Sequence, residues 1–141
     1  MRQSWKSDRG FGRLTREITM RTYNAPHRPT DVHKLAAMMD VLRRGLHLPP
    51  IVVSGDQAFC GSHRIAAYEQ ASRLRDRLDE AWELVPQSIP ALTLSDEDYE
   101  SACEYLGVEY LTEVRDCNEV AQAIYETTTD AAIRSAMEDQ R

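Results

Sequence analysis

The hydrophobic period of the chain changes abruptly between Cys60 and Ser62, and that switch constrains the fold more than any other feature. Before it, LPPIVV (48–53) is a short apolar run entered through two prolines. It turns at Gly55–Asp56 and returns through Gln57–Cys60, the spacing of a hairpin. After it, Ile65, Tyr68, Ala71, Leu74, Leu78, Trp82 and Val85 recur at helical steps until Pro86. A helix reaching about residue 83 is expected, with a break near Ser72–Arg75 as the alternative. A Gly-Ser-His-Arg cluster, Gly61 to Arg64, stands at the switch itself.

The flanking pieces extend the pattern. EITMRTY (17–23) alternates like a half-buried strand, and Pro26 and Pro29 hold an extended linker. Asp31 or Thr30 caps a helix over 31–44, whose apolar stripe is Val32, Leu35, Met39, Leu42 and Leu46 and whose stop is Gly45. IPALTL (89–94) reads as a strand. SDED (95–98) reads as a helix entry with Ser95 as N-cap and Asp98 in the capping-box position, and Gly107 ends that helix. Two more helices are expected around 112–126 and from Thr129 or Asp130 onward. The sum is an α+β domain, a small mixed sheet with packed helices and a helical C-terminal extension.

At 141 residues one core is affordable. Residues 1–15 show no periodicity and read as a mobile arm, 16–107 as the domain proper, and 108–141 as an extension packed on it. The net charge of −6 argues against a protein devoted to holding nucleic acid. The charge is also divided, with a basic front half and an acidic tail whose helices offer a protein partner a surface. No apolar run is long enough to span a bilayer. Three cysteines without a CxxC pair fit a reducing cytoplasm better than a disulfide scaffold. Cys60 and His63 have a metal-compatible spacing but no second ligand pair, so no metal site is expected.

The chemistry of the Gly-Ser-His-Arg cluster points to an anion. The first turn of a helix leaves amides unpaired and carries partial positive charge. Gly61 permits close approach, Ser62 caps or donates, His63 donates, and Arg64 offers a planar fork matched to phosphate oxygens. An ordinary capped helix start uses the same residue types.

From about Ile18 to Leu106 the ordered set of pieces resembles the ParB/sulfiredoxin-like superfamily: a strand, the PHRP linker (26–29), a helix ending near a glycine, LPPIVV, FCGSHRIAAYEQ and IPALTLSDED. Gly61, Arg64 and Ala67 resemble the G-x-x-R-x-x-A phosphate turn of the ParB kind, and the segment around them resembles the active-site stretch of sulfiredoxin still more closely. The resemblance implies a nucleotide, ATP, ADP or CTP with Mg2+, with phosphates held by Gly61, Ser62, His63 and Arg64. His33 and Lys34 at the start of the 31–44 helix and His27 and Arg28 of the linker would lie nearby. Ser62 stands where sulfiredoxin carries its nucleophilic cysteine and where ParB-type turns carry an acid. Repair of a sulfinic acid and ParB-type CTP hydrolysis therefore lack their residues.

Three readings follow. The first is an ATPase or small-molecule phosphotransferase, with Asp56, Glu17 and His63 as candidates for activating an acceptor or placing a metal-bound phosphate. The second is a non-catalytic nucleotide-dependent switch or a phage or plasmid accessory protein. The third is a DNA-binding or nuclease protein using the arginines of the front half, a reading that the overall charge disfavours.

Overall fold

The computed structural model describes residues 20–138. The first strand expected, 17–23, falls partly outside them, as do Glu17 and the N-terminal arm. The part that is described, Met20 to Tyr23, is not a strand. Only Asn24 pairs, in an isolated parallel bridge with Gln57. Its N–H donates to Asp56 O at 2.7 Å and its carbonyl accepts the Ala58 N–H at 2.9 Å. Pro26, two residues on, has no N–H with which to continue a ladder.

Helix α1, Val32–Arg43, is capped by the Asp31 carboxylate, which accepts the amides of His33 and Lys34. Leu42 is buried, and Leu35, Met38 and Met39 pack against the core. The ends of the expected stripe behave differently, since Val32 and Leu46 face solvent. Strand β1, Ile51–Ser54, and β2, Gln57–Ala58, form the hairpin, with Val53 opposite Ala58. The expected second arm, 57–60, is shortened because Phe59 and Cys60 already lead into the next helix. Strand β3, Ala91–Thr93, lies parallel to β1 on its other side, giving the order β2-β1-β3. The central Ile51, Val52 and Val53 are buried, as an uninterrupted apolar strand requires.

Helix α2, Ser62–Asp76, ends well before Val85, where its apolar pattern runs out, and just past the break weighed at Ser72–Arg75. Arg75 explains the early stop. Its buried guanidinium donates to the carbonyls of Val85 at 3.1 Å and Pro86 at 3.0 Å, and to Ser72 Oγ at 2.8 Å. The chain therefore doubles back, through Leu78 at φ 62° and a short 3-10 turn at Glu80–Trp82, to bring Pro86 onto α2. Leu78 is left exposed.

Helix α3, Asp96–Leu106, begins with Ser95 Oγ accepting the Asp98 N–H at 3.1 Å. The Asp98 carboxylate does not complete a capping box. It is buried and accepts the Thr128 hydroxyl at 2.7 Å and the Thr129 N–H at 3.3 Å. That clasp fixes the turn between α4, Cys117–Thr127, and α5, Ala131–Glu138. The helix expected at 112–126 resolves into a 3-10 turn, Leu111–Glu113, followed by α4. Val120 and Ile124 from α4 join Ile133 and Met137 from α5 in the same core as β1 and α2. The fold is thus α+β, with five helices and a small mixed sheet among the described residues. No helix among them is long and apolar enough to cross a membrane.

Candidate functional site

Gly61 is the N-cap of α2, at φ 87°, and makes no side-chain cap. A Cβ there would collide with Cγ2 of Ile51. The glycine therefore serves the close packing of α2 on β1, a role the sequence did not reveal. Ser62, one residue into the helix, is buried, and its Oγ accepts the His27 N–H at 3.1 Å. It secures the linker to the helix start.

Arg64 departs most from expectation. Only 3% exposed, it does not reach outward toward an anion. Its Nη1 donates to Pro49 O at 3.1 Å and to Pro50 O at 2.6 Å, and its Nη2 lies 3.8 Å from Cys60 Sγ. One turn further along α2, the Tyr68 hydroxyl accepts the Leu48 N–H at 3.0 Å. Residues four apart share a helix face, so Arg64 and Tyr68 together hold the segment that feeds β1. Burial pushes the Tyr68 phenol above its ordinary range. Cys60 is fully buried, and its sulfur accepts the Val52 N–H at 3.3 Å, an environment of packing rather than reactivity.

His63 does stand at the expected mouth. Its Nε2 accepts the Asp31 N–H at 3.1 Å, which ties the beginning of α2 to the beginning of α1. That bond requires an unprotonated Nε2, so the neutral ring carries its proton on Nδ1. Burial chiefly, then Lys34 and His27, push its pKa below the ordinary imidazole value, with Asp31 opposing. The His27 ring stands edge-on at 6.1 Å, and its Nδ1 lies 3.0 Å from Arg28 O. The Lys34 amide first, then the His33 amide and the nearby imidazoles, hold the Asp31 carboxyl below its usual range.

The starts of two helices are thereby brought together with His27, His33, Lys34 and His63 around them, and exposed Arg28 follows His27 in the linker. The amides at the start of α1 are taken by Asp31. Those at the start of α2 have no preceding helical carbonyl and no side chain from the N-cap. Asp56 is not part of this assembly. Gly61 packs beside Ile51, the first residue of β1, whereas Asp56 lies past Ser54, the last, about 10 Å of strand away. There it pairs with Arg21 at 3.2 Å in solvent. Glu17 lies outside the described residues. No cluster of metal-ligating side chains occurs among the described residues.

Sequence reasoning missed Asp31 as a joint as well as a cap, because its amide partner, His63, is remote in the chain. No protein-family model, curated protein or solved structure matches this chain.

Proposed function

We propose that the protein binds the phosphate group of a small molecule at the mouth formed by the starts of α1 and α2. A nucleotide of the ATP, ADP or CTP kind is the class that the ParB/sulfiredoxin-like resemblance implies. The observation that carries this reading is the pair of ties, Asp31 N–H to His63 and His27 N–H to Ser62, which gather Lys34 and three imidazoles beside the uncapped start of α2. The guanidinium expected to grip phosphate belongs instead to the support of that start.

Binding is favoured here over phosphoryl transfer. Asp56, a candidate for activating an acceptor, belongs to the other end of β1, and His63 has its Nε2 engaged by a backbone amide. A nucleotide-responsive switch in the cytoplasm is the activity class most consistent with that arrangement. The test is calorimetric titration with ATP, ADP, CTP and pyrophosphate, each with and without Mg2+. Saturable binding is expected, weakened at least tenfold by the double substitution Lys34→Gln, His63→Gln, an effect of roughly 1.4 kcal/mol or more. Absence of heat at millimolar ligand, or an unaffected double variant, sinks the reading. Release of inorganic phosphate on turnover would establish the hydrolase in place of the switch.

A further inference from the structure

A concavity lies between Ala25–Pro26 and the hairpin on one wall and Leu111–Val120 on the other, with a volume of about 230 Å³. Its apolar lining includes Phe59, Leu111 and Val120, all buried, and half-buried Val114. One cation borders it, Arg115. The carboxylates that flank Arg115 in sequence are both engaged elsewhere. Glu113 accepts the amides of Glu109 at 3.1 Å and Tyr110 at 2.7 Å, and Asp116 accepts the Asn118 amide at 2.9 Å. Arg115 itself is exposed and has no hydrogen bond or ion pair among the described residues. This is notable in a segment so rich in acids, where the other described arginine, Arg134, is bonded to Thr128 O at 2.6 Å.

We propose that this cleft binds a small monocarboxylate with a compact aromatic or branched apolar body, the body on Phe59, Val114 and Val120 and the carboxylate on the Arg115 fork. An apolar cavity of roughly 150 Å³ suffices for benzene, so the volume here accommodates a six-membered ring and a carboxylate. A guanidinium matches a carboxylate in two parallel hydrogen bonds. The lining holds no carboxylate and so offers no counter-charge for an amine of the same shape. The inference is independent of the phosphate reading, because Arg115 and the lining of the cleft take no part in the mouth at Asp31 and His63.

The test titrates phenylacetate, phenylacetamide and acetate into the full chain at constant ionic strength, following amide and methyl resonances by NMR. Phenylacetate should shift Val114, Arg115 and Val120 saturably at millimolar concentration. The neutral amide should bind about tenfold more weakly and acetate not at all, and Arg115→Gln should erase the preference for the acid. Val114→Trp, which fills the cleft, should abolish binding of phenylacetate and phenylacetamide alike. Equal binding of acid and amide, an unaltered preference in Arg115→Gln, absence of saturable shifts, or shifts confined to His27–Lys34 would each overturn the proposal.

Discussion

Arg64 and Arg75 put two guanidinium groups on the inward face of α2, and each is satisfied by carbonyls around a proline. A fixed planar fork is well suited to collecting two neighbouring backbone carbonyls. Arg64→Ala should therefore destabilise the fold by about 2–4 kcal/mol, the loss of charge-assisted hydrogen bonds plus a cavity. Chemical denaturation reads this directly, and phosphate affinity of the folded fraction should stay unchanged. A stable variant that had lost ligand binding would return Arg64 to the site. His63 titrates in the opposite sense from a histidine that gains a carboxylate. Its folded pKa lies below the ordinary 6.5, so the unfolded chain takes up the proton first as pH falls. Its contribution is fully present above pH 6.5 and declines as pH drops through that value toward the folded one. Lys34, His27, His33 and Asp31 surround it. The urea midpoint should fall between pH 7 and pH 5, and His63→Gln, which keeps an acceptor for Asp31 N–H, should show a smaller fall. An equal fall in both proteins would remove His63 as a source.

Among the elements, the stop of α2 is where local pattern and tertiary structure disagree. Apolar residues at helical spacing run on to Val85, yet the helix ends at Asp76 because Arg75 draws Val85 and Pro86 back to it. Leu78 turns the corner at φ 62° while about half exposed. A left-handed conformation costs a residue with a Cβ roughly 1–2 kcal/mol, and little burial is lost on truncation. Leu78→Gly is thus expected to raise stability by about 0.5–1 kcal/mol, net of the larger chain entropy of glycine. A calorimetric melt that shows a lower Tm would mean that the Leu78 side chain contributes packing that offsets its backbone.

Across the whole molecule, what could be read in advance was what neighbours in sequence decide. The caps of α1 and α3, the Gly55–Asp56 turn and the glycine stops at Gly45 and Gly107 are local chemistry, and they stand where the pattern places them. The purposes of polar residues on buried faces were not legible. Arg64 and a phosphate-binding arginine look alike in a helix-start motif, and the carbonyls that claim it are 14 and 15 positions away. Asp98 likewise fits a capping box until Thr128 and Thr129, 30 and 31 positions on, take its carboxylate. The mouth itself was half visible. His33, Lys34 and His63 were candidates, but the amide of Asp31 that joins the two helices announces nothing in a string of letters.

Among the described residues two arginines, Arg64 and Arg75, are withdrawn into the interior, against one interior acid, Asp98. The described surface consequently presents fewer exposed cations to balance its carboxylates than the composition alone conveys. A polyanion approaching at random meets repulsion over most orientations, and only a compact anion able to enter the small cationic recess would find a welcome. Retention on an anion-exchange resin should accordingly be stronger than the composition alone suggests.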